Sequence, residues 1–204
     1  MTKRTTIYLV RHGESEWNRQ GLIGGHSDPD LTEEGREQVR QTRLELKDIH
    51  FDEVYSSDLK RAMHTAEILY GKAVATTNRM HTLRERYFGS LEGKPEHHYQ
   101  AGNVGREKLT YEESWVFKHV PDMENDHELS IRFVPALEEI AKNNLGKTIL
   151  VVAHGSAIRT AIMKITGYTY KQLPSGSFVN AGYTELTYDE GKGFKVIQIS
   201  GVRL

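Results

Sequence analysis

The sequence predicts an α/β fold of three layers. A mostly parallel central sheet carries helices on both faces, followed by a C-terminal hairpin and interrupted by an irregular cap insertion. Three observations carry this expectation. Short apolar runs rich in β-branched residues alternate with amphipathic stretches of helical period, as in a parallel sheet wound with helices. Two of those runs stop abruptly at His-Gly: Leu9-Val10-Arg11-His12-Gly13 and Val151-Val152-Ala153-His154-Gly155. Near the C-terminus, two strand-like runs are joined by Asp189-Glu190-Gly191-Lys192-Gly193, a hairpin signal.

The elements follow in order. Thr5 to Val10 reads as a buried strand. Thr32 reads as the N-cap of a helix that opens on Glu33 and Glu34 and carries Val39, Leu44 and Leu46 on its apolar face. Glu53 to Ser56 is a short strand, and Asp58 is placed to cap a helix bearing Leu59, Ala62, Met63, Ala66 and Leu69. Ala73 to Thr77 reads as a further strand. Glu128 to Asn143 reads as a helix carrying Ile131, Val134, Leu137 and Ile140. Thr148 to Ala153 is the most apolar strand, and Ser156 to Ile165 the helix after it. Tyr183 to Tyr188 and Phe194 to Ile199 form the hairpin. Residues 92–126 are polar, rich in Gly, Glu, His, Tyr and Trp, and show no clean period. They read equally as a surface insertion and as a cover over a binding site.

The whole of residues 1–204 is expected to form a single domain around one core. A formal net charge of -1 leaves no basic excess for nucleic acid. No cysteine is present, which excludes disulfides, zinc-thiolate sites and cysteine nucleophiles. No apolar stretch is long enough to span a bilayer and no targeting segment is evident, so a cytoplasmic location and no membrane partner are expected. The oligomeric state is not set by the sequence, and a homodimer is compatible with it.

Arg11 and His12 arrive side by side at the C-terminal end of a strand, where ligands bind in open α/β sheets. Gly13 lets the backbone leave at a sharp angle. His154 repeats the arrangement, and Gly155 offers backbone N–H groups at a helix start for an anion. Arg61, in Ser56-Ser57-Asp58-Leu59-Lys60-Arg61-Ala62, completes with Arg11 a guanidinium clamp suited to phosphate oxygens. Glu85 follows in Leu83-Arg84-Glu85-Arg86.

Taken together, Arg-His-Gly-Glu with Asn18, Ser-Asp-Leu-Lys-Arg-Ala, Leu-Arg-Glu, the late strand ending in His-Gly and Asn180-Ala181 resemble the histidine phosphatase superfamily, in order over essentially the whole chain. That superfamily includes phosphoglycerate mutases and many phosphomonoesterases. The resemblance implies that His12 is the nucleophile, forming a phosphohistidine, with its second ring nitrogen held by a backbone carbonyl. It implies that Arg11, Arg61 and a protonated His154 neutralise phosphate oxygens, and that Asn18 adds a hydrogen bond. Glu85 would protonate the leaving alkoxide and then activate water, which requires burial or phosphate charge to raise its pKa. Arg86 is a candidate contact for a second anionic group on the substrate. No metal is implied, and no cofactor beyond a bisphosphate primer should the protein be a mutase.

The mutases carry Asn-Lys and Trp-Arg-Arg where Pro95-Glu96 and Trp115-Val116-Phe117 stand here. That loss of paired guanidinium groups favours a metal-independent phosphatase of a small phosphorylated metabolite, a sugar phosphate or a phosphoglycerate-like compound, over a mutase. A catalytically silent phosphate-ligand-binding module is a third reading, opposed by the presence of all five core residues. Three rival motifs carry less. Asp28-Pro29-Asp30-Leu31-Thr32 spells an aspartyl-phosphatase pattern but does not follow a strand. Gly146-Lys147-Thr148 resembles the end of a P-loop but precedes a strand and has Ala141 for the earlier glycine. His97, His98, His119 and His127 fit no standard metal spacing.

Overall fold

In the computed structural model, which describes residues 3–102 and 105–202, the first apolar run becomes β1 (Arg4–Arg11). It alternates cleanly. Ile7 and Leu9 face one layer, Val10 the other, as period-two geometry requires. A single turn, α1 (Glu16–Arg19), follows, and then α2 (Glu33–Glu45), whose N-cap Thr32 accepts from Gly35 N at 2.9 Å. Val39, Thr42 and Leu46 turn inward, whereas Leu44 is 61% exposed, because it lies on the far side of the helix from Val39.

β2 (Glu53–Ser57) leads to α3 (Lys60–Tyr70). Asp58 does not cap α3. Its carboxylate takes a two-pronged ion pair from Arg84 at 2.7 Å, and the N-cap Leu59 makes no side-chain bond. The helix's Lys60 N–H is instead taken by Asp28 from a distant loop at 2.7 Å. The strand expected over Ala73 to Thr77 is loop and a 3-10 turn. The paired residues are β3 (Arg79–Met80), beside Ser56 and Ser57, while Val74 is buried and its carbonyl accepts from Arg79.

The stretch 92–126 contains two short helices, α4 (His97–Gly102) and α5 (Tyr111–Val116), between turns. Next comes α6 (Asp126–Asn143), opened by an Asn125–Glu128 capping box. Leu129, Phe133, Leu137 and Ile140 are buried along it. Ile131, two residues from both Leu129 and Phe133, points to the opposite face and is 61% exposed. β4 (Thr148–Ala153), α7 (Gly155–Thr166) and the hairpin β5 (Tyr183–Asp189) and β6 (Gly193–Ile199) complete the chain.

The sheet order is β3-β2-β4-β1-β5-β6, parallel through β1 and antiparallel across the hairpin. One apolar layer packs α6 and α7 against Ile7, Leu9, Ile149 and Val151. The other packs α2 and α3 against Val10, Val54, Leu150 and Val152. In the parallel register Arg11 lies opposite Ala153, so the next residues, His12 and His154, leave the sheet side by side. No helix of the described residues is long and apolar enough to cross a membrane.

Candidate active site

At the C-terminal ends of β1 and β4 lies a cavity of about 340 Å³, lined among others by Arg11, His12, Asn18, Arg61, Glu85 and Gly155. His154 stands behind His12, its ring 5.0 Å away centroid to centroid and steeply inclined.

The chain's exit from β1 orients His12. Gly13 passes so close to α2 that a Cβ there would meet Gly35 O at 2.4 Å, which only glycine permits. The Gly13 carbonyl then lies 2.7 Å from His12 Nδ1. A carbonyl only accepts, so Nδ1 carries the hydrogen and Nε2 keeps its lone pair. Arg61 Nε donates to that Nε2 at 3.3 Å. The His12 carbonyl is itself held by Asn180 Nδ2 and Ala181 N. Ala181 sits at φ 59, a left-handed conformation uncommon for a residue with a Cβ.

Arg61 is 2% exposed, in the first turn of α3. Its Nη1 donates to Ser27 O and its Nη2 to Gly25 O, both at 2.7 Å. Burial pulls its pKa down to about 10, which leaves it a cation at neutral pH. Arg11 donates through Nη1 to the Phe178 carbonyl. Asn18 Oδ1 accepts from Ser15 and Asn180, which leaves its Nδ2 to donate toward a ligand.

Glu85 occupies the position expected of an anion at the start of α7. Its carboxylate accepts from Ser156 N and Ala157 N, each at 3.1 Å, and from Arg86 N at 2.7 Å. The first N–H groups of the helix that Gly155 opens therefore already have an acceptor, the Glu85 side chain, supplied by the protein.

Arg86 does not reach the cavity. It is fully buried, and its guanidinium donates to Asp126 and to the Glu124 carbonyl. The expectation that it meets a second anionic group on a ligand is corrected accordingly, because its donors are turned to Asp126. Arg106, Arg159 and Thr160 converge on the same carboxylate. Of the residues that sequence reasoning did not find, Phe178, Gly25 and Ser27 act through backbone carbonyls, which no side-chain motif announces.

Burial pushes both imidazoles well below the ordinary histidine range, and Arg61 and Arg11 push them further. With these neighbours His154 is neutral, so the protonated form expected for it requires an anion beside it. Two consequences follow in the same direction. His12 keeps its lone pair below about pH 6.5, so the acid limb of kcat/KM is expected to lie below that value. Both rings also bind a proton more weakly folded than unfolded. The stability they contribute is present above about pH 6.5 and is lost as pH falls below it. Thermal melts are expected to show a lower Tm at pH 5 than at pH 7, with a shallower dependence in His154→Gln; equal slopes in the two proteins would contradict this.

Among the described residues no three His, Asp or Glu side chains converge as a metal-binding group. The arrangement offers an unprotonated ring nitrogen, two guanidinium groups and a carboxylate around one space. That set can accept a phosphoryl group and exchange a proton with what leaves it.

Comparison with known proteins gives the same picture at the level of the family. The family model of the histidine phosphatase superfamily (branch 1) matches residues 7–199. The uncharacterized phosphatase PhoE of Bacillus subtilis (strain 168) is 33% identical over 188 residues, covering 92% of this chain and 91% of its own. A metal-independent phosphoserine phosphatase of Arabidopsis thaliana is 36% identical over 186 residues, 87% of this chain and 74% of its own. The crystal structure of phosphoglycerate mutase from Bacillus anthracis str. Sterne superposes with a TM-score of 0.80 at 27% identity, covering 97% of this chain and 93% of that one.

Proposed function

The chain belongs to the histidine phosphatase superfamily, and from that membership we propose that it hydrolyses small phosphate monoesters through a phosphohistidine on His12. The observation that carries this reading is the lone pair of His12 Nε2, fixed by the Gly13 carbonyl and bordering a cavity walled by Arg11 and Arg61. Nε2 attacks phosphorus in line, a P–N bond forms, and the P–O bond to the leaving group breaks. Arg11, Arg61 and Asn18 bear on the non-bridging oxygens, where charge is spread in the transition state, and the phosphate charge beside His12 is what lets His154 take a proton and join them. Protonated Glu85 gives its proton to the leaving alkoxide. Its carboxylate then takes a proton from water, which attacks phosphorus and releases His12. The segment 92–126, which contributes Glu96 and Tyr99 to the cavity wall, selects among substrates.

Glu96 favours a phosphatase over a mutase, since its carboxylate on the wall repels a second anionic group of the substrate. Arg159 also lines the cavity, but Asp126, Leu173 O and Met163 Sδ already take its terminal nitrogens. The test is phosphate release from a panel of small phosphorylated metabolites in EDTA. Release from several monoesters without added metal is expected. Strict dependence on Mg²⁺ would overturn the mechanism, and isomerase activity exceeding phosphate release would make the protein a mutase.

A further inference from the structure

We propose that Glu92 is a positioning residue for the reaction, acting on His12 and the phosphoryl group through Arg61; this rests on the role given to those two residues above. Glu92 does not line the cavity. Its carboxylate gathers the loop that does. Oε1 accepts from His26 N at 2.9 Å and Phe88 N at 3.1 Å, and Oε2 accepts from Ser27 N and Ser27 Oγ at 3.2 Å.

Two of those N–H groups, of His26 and Ser27, lie in the same three-residue stretch as the carbonyls that hold Arg61. When the amide of His26 points at Glu92, the Gly25 carbonyl of the same trans peptide is turned the other way, onto Arg61 Nη2. Ser27, held to Glu92 by both its N–H and its hydroxyl, places its own carbonyl on Arg61 Nη1. The guanidinium, so fixed at two corners, presents its Nε to His12 Nε2. Gly25 makes the approach sterically feasible: it has φ +52, and a Cβ there would lie 2.0 Å from Glu92 Oε1. The backbone follows the same seam, with Gly93 N donating to Ile23 O and Ile23 N to Lys94 O, both at 2.9 Å. His26 Nε2 also meets the Glu85 carbonyl at 2.9 Å, which ties the same loop to the strand-end segment carrying the acid.

A carboxylate is required for this by its acceptor count. Four donors converge on two oxygens, and Glu92→Gln would turn an NH2 group toward one pair of them. The loop then relaxes and both carbonyls swing off Arg61. A guanidinium fork needs fixed geometry to serve the nucleophile and the phosphate oxygens together. A displacement of about 1 Å is worth up to roughly a hundredfold in rate.

The experiment is a double-mutant cycle on p-nitrophenyl phosphate with Glu92→Gln, Arg61→Lys and the pair, each checked by near-UV circular dichroism. Glu92→Gln alone is expected to lower kcat/KM by about 10- to 100-fold and to weaken inhibition by inorganic phosphate in parallel. In the Arg61→Lys background the same change is expected to lower it by less than about threefold further, since coupled residues are non-additive. Should Glu92→Gln lose its native spectrum, Glu92→Asp, too short to span the same N–H groups, takes its place with the same expectation. Losses that multiply, or an unaffected Glu92 variant beside a crippled Arg61→Lys, overturn the positioning role alone. Full activity in Arg61→Lys overturns that role together with the reading on which it rests.

Discussion

Replacing His12 with alanine is expected to abolish phosphate release, a loss of roughly four orders of magnitude or more, as for nucleophiles removed from other covalent catalysts. Among the described residues that line the cavity, His12 presents a ring-nitrogen lone pair whose tautomer is set by the Gly13 carbonyl on Nδ1, with Arg61 beside Nε2. His154 cannot stand in for it. His154 is fully buried behind His12, and among the described residues neither of its ring nitrogens has a hydrogen-bond partner to set its tautomer. What alanine leaves is the electrostatic frame of Arg11 and Arg61, able to bind phosphate but with nothing to accept the phosphoryl group. The variant should therefore still bind inorganic phosphate. Activity within tenfold of the native protein's would sink the mechanism.

Replacing Asp126 with alanine is expected to be the most damaging change to stability, about 3–5 kcal/mol by the measure of other buried ion pairs broken on one side. Asp126 is 1% exposed and takes Arg86, Arg106 and Arg159, all buried, together with the Thr160 hydroxyl. Three guanidinium groups share one carboxylate, so its removal leaves three buried charges without that counter-charge. These arginines come from the strand-end segment of Glu85, from the stretch before α5 and from α7, and the carboxylate joins all three to the start of α6. Their positive charge drives the Asp126 carboxyl far below the ordinary carboxylate range, against a burial effect that opposes it. The sign is that of a depressed acid. Its stabilisation is fully present above its unfolded value, about 3.9, and is lost as pH falls below that. Urea unfolding of Asp126→Ala at neutral pH should show the deficit, with Tm lower by about 10 °C. A deficit below about 1 kcal/mol, the ordinary size for a surface pair, would contradict it. Since Arg86 N also holds Glu85, activity should fall at temperatures where the variant is still folded.

The parallel sheet and the meeting of its two histidines were legible because both rest on local signals. An apolar run that ends in His-Gly fixes where its histidine stands, and the parallel register of β1 with β4 brings the two together. What the sequence could not show lies in contacts across long separations. Arg86 has its place because of Asp126, forty residues later, and nothing near Arg86 tells a buried ion pair from a ligand contact. Asp58 reads as a cap by position alone, yet Arg84 claims its carboxylate and Asp28 takes over at the helix start. Ala73 to Thr77 has the composition of a strand, but pairing begins only at Arg79. The carbonyls of Gly25, Ser27 and Phe178 hold the two arginines of the clamp, and backbone groups leave no mark in residue type.

The most direct measurement is rapid quenching of the protein during turnover of a phosphate-labelled monoester, followed by mapping of any covalent label. A stoichiometric, acid-labile label on the peptide containing His12, absent from His12→Ala, is the predicted result. Label on any other residue, or a burst of product with no label on the protein, would contradict transfer of the phosphoryl group through His12.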